Sequence, residues 1–313
     1  MIYINERGLS LKNTAVTIGN FDGIHIGHQA LINKLIQKGD GHNLNTVVLS
    51  FSPHPVQLIT STKFLNLFTS EEKKHFFSEY DIDYFIEYPF VDEFRNLSPE
   101  DFFKTVLVEK LGCKNLVIGQ DYEFGSNKSG DVGTLKTLCE KYGIILDVVP
   151  HVENNNAKIS SSTIRELILA NDFDTAKKFM GRPYLIMGTV AEGRKIGRTL
   201  GFPTVNLLQH ENKIIPKDGI FITKTKYKSN IYNSVTNIGR NPTVSDDTDR
   251  RTIETYIFEF EKQIYDEEIT VYFYQKTRNE KKFNNVDELK NQISIDVSMA
   301  REYFSNDSKG ILN

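Results

Sequence analysis

Two histidines and three glycines stand close together in the stretch Thr17-Ile-Gly-Asn-Phe-Asp-Gly-Ile-His-Ile-Gly-His28. The apolar, β-branched run 15–18 leads into this stretch, and an apolar pattern of helical period follows it. A strand, a glycine-rich turn and a helix N-terminus together bind phosphate, because unpaired amides and the positive end of the helix dipole converge there. His25 and His28 would add two imidazoles where the phosphate charge lies. The stretch therefore predicts a phosphate-binding turn.

Three further polar loops follow predicted strands. They are Ser52-Pro-His-Pro55, the glycine-rich segment 119–130, and Ile159-Ser-Ser-Ser-Thr-Ile-Arg165. The serines of the last loop would cap a helix in which Arg165 offers a planar fork that matches phosphate oxygens. Each loop also has a plainer interpretation, since a serine cluster is usually only a cap and a Pro-His-Pro segment only a rigid loop. Their positions after successive strands of one sheet favour a shared site.

A second candidate site lies in the C-terminal half. Glycines recur there among arginines and a lysine, at Gly193, Gly197 and Gly201. Amides and cations in such a stretch could cradle phosphates, although the spacing is neither that of a Walker loop nor that of a protein-kinase loop. Thr204 and Asn206 would point the same way in an extended strand, and two neutral oxygens suit Mg²⁺. Taken alone, the stretch is more simply explained as a glycine-rich β-turn.

Glu254 is the candidate general base of this half. A period of two places it on the same strand face as Tyr256, Phe258 and Phe260. Desolvation on an aromatic face would raise the pKa of its carboxyl, which suits a general base. The alternative is a carboxylate at a barrel rim that reaches water. Because the other face of the segment is apolar too, the period does not decide between them.

The elements that would position these residues change in kind along the chain. Up to about residue 150, apolar runs alternate with helical patterns, which predicts an α/β, doubly wound, Rossmann-like parallel sheet. Its predicted strands are 15–18, 46–51, 84–88, 115–119 and 144–149. After Gly181-Arg-Pro183, β-branched and aromatic runs indicate an all-β sandwich or barrel, and the pattern over 286–304 predicts a terminal helix. We therefore predict two domains, 1–183 and 184–313.

Composition limits the classes of partner. A net charge of −3 over 313 residues gives no electrostatic case for a nucleic-acid or an anionic-membrane partner. No apolar run approaches the roughly 20 residues that span a bilayer, and the N-terminus lacks a signal-peptide pattern. Cys113 and Cys139 have no metal-ligand spacing, so we expect reduced, structural thiols. These features predict a cytoplasmic protein without membrane or nucleic-acid partners.

Residues 15–165 resemble the adenylyltransferase domain of prokaryotic bifunctional riboflavin kinase/FAD synthetases, which belongs to the nucleotidyltransferase superfamily marked by a His-x-Gly-His turn. The matching motifs are Gly-x-Phe-Asp-Gly-x-His-x-Gly-His from Gly19 to His28, Pro53-His54-Pro55, a Gly-x-Asp-aromatic-x-Phe-Gly loop at 119–125, and a closing motif at 160–165 in which Ser162 replaces a threonine. The resemblance implies attack by the phosphate of FMN on the α-phosphorus of ATP, with pyrophosphate leaving.

The same resemblance implies roles for single residues. His25 and His28 would stabilise the triphosphate, and Arg165 with the hydroxyls of Ser161 and Ser162 would hold its outer phosphates. The implied ATP-binding turn contains Gly19, Asn20, Phe21, Asp22 and Gly27, of which Asn20 and Asp22 shape the turn. The implied flavin-binding residues are Pro53, His54, Asp121 and Phe124.

Residues 184–304 resemble the riboflavin kinase module of that family, a small β-barrel followed by a helix. The resemblance rests on a Gly-Arg-x-Leu-Gly-Phe-Pro-Thr-x-Asn signature from Gly197 to Asn206 and on the segments Asn237–Thr243 and Arg278–Phe283. It implies that Thr204 and Asn206 bind Mg²⁺ with ATP, and that Glu254 deprotonates the ribityl 5′-hydroxyl of riboflavin. The implied ATP-binding residues of this module are Gly193, Gly197, Arg198, Gly201 and Pro203. Tyr256 and Asp266 depart from the family's usual histidine and glycine.

The leading hypothesis is a two-step enzyme that makes FMN from riboflavin and FAD from FMN, with ATP as co-substrate and Mg²⁺ as cofactor. The alternative is a nucleotidyltransferase for another phosphorylated substrate, with a flavin-binding barrel. Aminoacyl-tRNA synthetases also carry a His-Ile-Gly-His turn, but this chain has no lysine-serine-lysine loop and its net charge is acidic. A non-catalytic flavin-binding regulator would leave the pair of histidines unexplained.

Overall fold

A parallel sheet of six strands builds the N-terminal half of the protein. The computed structural model describes residues 1–6, 8–59, 64–154, 157–192, 197, 201–240 and 251–307. The strands are β1 (Ile2–Ile4), β2 (Thr14–Ile18), β3 (Asn45–Ser52), β4 (Tyr84–Pro89), β5 (Cys113–Gly119) and β6 (Ile145–Val149). Their order is β1-β4-β3-β2-β5-β6, with every neighbouring pair parallel. This confirms the predicted doubly wound sheet, whose strands all end at the same edge.

Helices flank this sheet. They are α1 (Ile26–His42), α2 (Pro55–Ile59), α3 (Ser70–Phe77), α4 (Asp92–Arg95), α5 (Pro99–Phe102), which continues as a π-helix over Phe103–Lys110, and α6 (Val132–Tyr142). The predicted capping box at Thr69 and Glu72 is present at the start of α3. Ser98 caps α5, whose first residue is the predicted Pro99. Apolar side chains of α5, the π-helix and α6 pack with those of the strands in one buried core.

The C-terminal half contains a closed barrel in the order β10-β13-β12-β11-β14-β9. Its strands are β9 (Tyr184–Ala191), β10 (Thr204–Leu207), β11 (Gly219–Tyr227), β12 (Asn230–Arg240), β13 (Arg251–Ile257) and β14 (Glu268–Arg278). The N-terminal half ends with a short hairpin of β7 (Glu153–Asn154) and β8 (Ala157–Lys158), and the remaining helices are α7 (Ser161–Ala170), α8 (Phe173–Met180) and α9 (Val286–Asp307). The predicted barrel with a terminal helix is therefore confirmed.

Contacts divide the chain into two compact units, Met1–Ser161 and Ser162–Asn313. Helix α8 packs on the barrel within the second unit, because the ring of Phe173 lies 5.8 Å from those of Phe221 and Phe273. The predicted boundary between the two functional domains, after residue 183, is a separate matter from this division by contacts and stays a prediction. In the described part of the chain, no helix is long and apolar enough to cross a membrane.

Five hydroxyl groups lie inside the barrel, beside apolar side chains such as Phe221, Ile238 and Ile253. They form one chain of contacts in the order Thr225, Ser234, Thr223, Thr236 and Thr255, with oxygen–oxygen distances of 2.8 to 2.9 Å. All five side chains are fully buried. A hydroxyl both donates and accepts, so each can serve two neighbours. Because successive side chains of a strand alternate between its faces, the neighbours of these residues in sequence face outward.

Helix α9 covers part of the outer face of the barrel. Val297 and Phe304 of α9 pack in one buried cluster with Ile222 and Phe258, and Tyr256 lies against it. Arg278 at the end of β14 forms two hydrogen bonds, of 2.9 and 2.6 Å, with the buried carboxylate of Asp296 on α9. These contacts fix α9 beside strands β11 and β12.

Candidate active sites

The turn between β2 and α1 has a strained backbone. Phe21, Gly23 and Ile24 have φ angles of 48°, 80° and 40°. Positive φ is uncommon for a phenylalanine and costly for a β-branched isoleucine, so the surrounding structure must hold the turn in place. A Cβ at Gly23 would lie only 2.8 Å from Cδ1 of Leu67, so a side chain there would both strain the backbone and displace Leu67. Strain that is held this tightly marks a candidate functional site.

Asp22 braces the turn from inside the protein. Its two carboxylate oxygens accept the backbone amides of Leu67 and Phe68, at 3.0 and 2.9 Å. Its side chain is buried, and its main-chain oxygen accepts the hydroxyl of Ser161 at 2.9 Å. The carboxylate thus binds the protein's own backbone, and the main-chain oxygen holds Ser161 beside the turn.

Replacing Asp22 by asparagine should therefore destabilise the N-terminal unit. The new amide nitrogen cannot accept a hydrogen bond, so one buried amide of Leu67 or Phe68 loses its partner, at a cost of about 1–3 kcal/mol. Urea unfolding should show a lower midpoint for Asp22→Asn. The exposed Asp40 of α1 gives a matched control, and equal midpoints for Asp22→Asn and Asp40→Asn would contradict this role.

His25 and His28 stack face to face at the N-terminus of α1. Their ring centroids are 3.6 Å apart, with 18° between the ring planes. His25 is the N-cap, and its Nδ1 accepts the amide of His28 at 3.4 Å, so a neutral His25 carries its proton on Nε2. A Cβ at Gly27 would lie 3.2 Å from Nδ1 of His25, in tight contact with the ring. The pair can donate hydrogen bonds to an anion at the positive end of the helix dipole.

A buried ion pair supports the turn from the side of the sheet. Lys73 contacts the carboxylate of Glu87, and both side chains are almost fully buried. Nζ of Lys73 also donates to Oγ of Ser50 at 3.4 Å, and that hydroxyl donates to the carbonyl of Asn20 at 3.1 Å. The hydroxyl of Tyr3 donates to Glu87 at 3.0 Å. The conformation at Asn20 is thus fixed through contacts that reach the edge strand β1.

The second predicted loop brings two rings together. The imidazole of His54 stacks on the ring of Phe64, with 4.3 Å between centroids and 23° between planes. Nδ1 of His54 accepts the amide of Val56 at 3.3 Å, which fixes the ring beside the start of α2. Pro53 is exposed next to it. The loop therefore offers an aromatic surface at the edge of the sheet where the strands end.

The third loop holds Asp121 in a small ion-pair cluster. Its carboxylate lies 2.7 Å from Nζ of Lys158 and 3.6 Å from Nε2 of His151. Partial burial raises the pKa of Asp121, but the hydrogen bond from Lys158 and the charge of His151 outweigh it, so the pKa lies below its usual range. Phe124 instead packs in the apolar core, with its ring 5.8 Å from that of Phe102. Of these two predicted flavin contacts, Asp121 alone is exposed.

The fourth predicted loop spans the division between the compact units. Ser161 closes the first unit and bonds to Asp22, as described above. Ser162 is exposed and Arg165 half-buried, and both belong to the second unit. Arg165 lies about one turn inside α7, as predicted, and the capping role of the serines stays a prediction.

In the barrel, strand register assembles the second candidate site. Asn206 of β10 pairs with Glu254 of β13, which in turn pairs with Asn237 of β12. On the same two strands, Thr204 pairs with Tyr256, two residues away from the pair of Asn206 and Glu254. Cross-strand partners point to the same face. Three polar side chains therefore form a row on the outer face of the barrel, with Thr204 beside them.

Asn237 opens the segment Asn237–Thr243 noted above, but it is the member of this row to which the sequence assigned no role. A period of two assigns a face to a residue of β12, but it does not give the register between β12 and β13. The aromatic face predicted around Glu254 is correct for Tyr256 and Phe258 and wrong for Phe260. The strand ends at Ile257, and the φ of 55° at Glu259 turns the chain. The ring of Phe260 consequently packs on Tyr227 and Tyr232, at 5.7 and 5.2 Å.

A tight turn precedes β10. The amide of Phe202 donates to the carbonyl of Gly197 at 2.8 Å, and a Cβ at Gly197 would lie 2.4 Å from the carbonyl oxygen of Phe202. Gly201 has a φ of 86°, which favours glycine. Pro203, two residues after Gly201, is exposed. Gly193 and Arg198, predicted to bind ATP, lie outside the described residues. The last three residues of the segment Asn237–Thr243, 241–243, also lie outside them.

The oxygens of Thr204 and Asn206 fit a magnesium ion. Both are neutral, hard donors on one face, and the carboxylate of Glu254 stands next to Asn206 in register. Within the described ranges, no group of three or more histidine, cysteine, aspartate or glutamate side chains could hold a metal. An ion at Thr204 and Asn206 would therefore be completed by water and substrate phosphates.

Comparisons with known proteins cover both halves. Residues 9–163 match the family model of FAD synthetase, and residues 180–304 match that of riboflavin kinase. The chain is 36% identical over 298 residues to a bifunctional riboflavin kinase/FMN adenylyltransferase from Buchnera aphidicola subsp. Schizaphis graminum, across 94% of this chain and 95% of that protein. It is 33% identical to the protein of that name from Escherichia coli strain K12, across 94% of this chain and 93% of that protein. A Streptococcus pneumoniae crystal structure described as a macrolide-efflux protein has the same fold, with a TM-score of 0.85, 30% identity, and coverage of 96% and 98%.

Proposed function

The chain belongs to the family of bifunctional riboflavin kinase/FMN adenylyltransferases, and on this premise we propose which of its residues carry each reaction. The enzyme phosphorylates riboflavin to FMN with ATP, and it then adenylylates FMN with ATP to give FAD and pyrophosphate. Adenylyl transfer belongs to the N-terminal half and phosphorylation to the C-terminal half. The riboflavin kinase match speaks against the alternative of a plain flavin-binding barrel.

Adenylyl transfer requires positioning and charge stabilisation. An oxygen of the FMN phosphate attacks the α-phosphorus of ATP, and the bond to the departing pyrophosphate breaks. His25 and His28 donate to the phosphate oxygens as negative charge builds. Their stacking at the N-terminus of α1 supports this role. Arg165 with the hydroxyls of Ser161 and Ser162 would hold the outer phosphates.

The strained turn serves as the ATP-binding turn in this proposal. Its members are Gly19, Asn20, Phe21, Asp22 and Gly27. Asp22 acts through the backbone amides that its carboxylate accepts, and Asn20 through its own main-chain carbonyl, which Ser50 holds. FMN would be held by the loop of Pro53 and His54 and by the loop of Asp121 and Phe124. The stacked pair of His54 and Phe64 gives that surface its aromatic character.

Phosphorylation is assigned to the outer face of the barrel. Glu254 accepts the proton of the ribityl 5′-hydroxyl as the hydroxyl oxygen attacks the γ-phosphorus of ATP, and ADP leaves. Thr204 and Asn206 would hold Mg²⁺, which supplies charge neutralisation at the phosphates when bound with ATP. The turn of Gly197, Gly201 and Pro203, with Gly193 and Arg198, would take the ATP phosphates. The observation that carries this assignment is the row of Asn206 and Glu254 in register.

Replacing Asn206 by alanine tests the metal site. Loss of one oxygen donor should raise the Mg²⁺ concentration for half-maximal FMN formation by at least roughly tenfold, as even weaker perturbations of metal ligation do. The measurement titrates Mg²⁺ at fixed ATP and riboflavin. Asn230→Ala, at the exposed start of β12, is the matched control. An unchanged Mg²⁺ dependence in Asn206→Ala would refute the assignment.

We place the enzyme in the cytoplasm. Cys113 and Cys139 are both buried free thiols, the state that a reducing compartment maintains. Burial raises the pKa of the Cys139 thiol to about 11, so it stays protonated and unreactive at neutral pH. Cell fractionation with an assay for FMN adenylylation checks this placement.

A further inference from the structure

Asn237 stands beside the proposed base on the side opposite Asn206. The strand order β10-β13-β12 puts Glu254 between the two asparagines. The register pairs Asn237 directly with Glu254. Directly opposed residues of antiparallel strands have Cβ atoms roughly 4.5–5.5 Å apart. A substrate hydroxyl held by Glu254 would therefore lie within reach of Asn237.

The side-chain oxygen of Asn237 is buried and accepts no hydrogen bond from the described residues. Its cross-strand neighbours cannot supply one, because an ionised Glu254 has no proton to donate and Ile220 of β11 is apolar. Val235 and Gly239, the next residues on the same face of β12, carry no side-chain donor either. A buried oxygen without a donor costs about 1–3 kcal/mol. Such an oxygen in a substrate site calls for a donor on the substrate.

We propose that Asn237 is a specificity-determining residue that accepts a hydrogen bond from a ribityl hydroxyl of riboflavin and thereby orients the chain toward Glu254. This inference rests on the proposed role of Glu254. Riboflavin carries several hydroxyls in a row, so one hydroxyl can give its proton to the base while a neighbouring one donates to Asn237. A neutral amide suits this place, since a second carboxylate would repel the first one.

The test compares riboflavin with its monodeoxy ribityl analogues, each lacking the 2′-, 3′- or 4′-hydroxyl. Steady-state FMN formation is measured for the wild type and for Asn237→Ala. Loss of one hydrogen bond should lower kcat/KM for riboflavin by about tenfold in the variant. For the analogue that lacks the contacting hydroxyl, kcat/KM of the wild type should also fall about tenfold below its value for riboflavin. In Asn237→Ala, kcat/KM should be the same for that analogue and for riboflavin, because the contact is already absent. Each protein is compared with itself, so a partly unfolded sample does not mimic the result.

The controls separate this inference from its premise. Asn230→Ala, on the same strand, should behave as the wild type with every analogue. If every analogue lowers kcat/KM by the same factor in Asn237→Ala as in the wild type, the proposed contact is refuted. A shifted Mg²⁺ dependence with an unchanged KM for riboflavin would make Asn237 a metal ligand and would also overturn the proposal. An active Glu254→Gln would defeat the proposed function itself, whereas an inactive Glu254→Gln beside an unaltered Asn237→Ala defeats this inference alone.

Discussion

Replacing His28 by alanine is expected to leave FMN formation intact and to slow its conversion to FAD by about 100- to 1,000-fold. The imidazole lies against His25 at the N-terminus of α1, where the charge of the triphosphate would gather. Its hydrogen bond strengthens as charge moves onto the leaving pyrophosphate, so kcat should fall more than KM for ATP rises. A time course from riboflavin and Mg-ATP, with FMN and FAD separated by chromatography, measures both steps in one sample.

Helix α1 supplies the matched control. His42 is exposed in its last turn, so His42→Ala changes the same residue type on the same helix far from the turn. Both products should then form at the wild-type rate. FAD formation at that rate in His28→Ala would overturn the assigned role. Loss of both products would instead indicate a folding defect.

Replacing Glu254 by glutamine is expected to give the opposite pattern. The amide keeps the size of the side chain but cannot take a proton from the ribityl hydroxyl, so FMN formation should fall roughly 100- to 10,000-fold. FAD formation from supplied FMN should proceed at the wild-type rate, because that reaction belongs to the other half of the chain. The two initial rates, measured separately on the same preparation, test this result.

Glu261 provides the comparison for that experiment. It is exposed just after β13, and its replacement by glutamine makes the same chemical change outside the polar row. Both rates should stay at the wild-type level in Glu261→Gln. FMN formation within about threefold of the wild type in Glu254→Gln would mean that another group accepts the proton, or that none is needed.

The fold could be predicted where the apolar runs were long. The runs that became β2 to β6 showed strand and helix patterns in alternation, and all five strands are present. Strand β1 was beyond such reasoning, because Ile2–Ile4 is too short to show a period and gains its place by pairing with β4. The period around Glu254 failed at Phe260 for a local reason, since Glu259 adopts a left-handed conformation that no alternation of side chains reveals.

The candidate sites were predictable as loops and strands but not as contacts. Motifs placed the histidines and the start of α7, yet no pattern links Ser161 to the carbonyl of Asp22, 139 positions earlier in the chain. The amide partners of Asp22 are equally hidden, because Leu67 and Phe68 read as ordinary apolar residues. Register hid Asn237 in the same way. In each case the sequence determines a side chain's type and face, while tertiary packing determines its partner.

The five linked hydroxyls inside the barrel bear on how such a chain can change over generations. An apolar replacement of Thr223 alone would leave Ser234 and Thr236 each with one fewer partner in a dry interior, which selection opposes. Replacement of an end pair, Thr225 with Ser234 or Thr236 with Thr255, leaves only Thr223 with one fewer partner and costs less. Neutral drift at these positions therefore begins with an end pair, and one lineage's barrel interior need not tolerate another lineage's single residue.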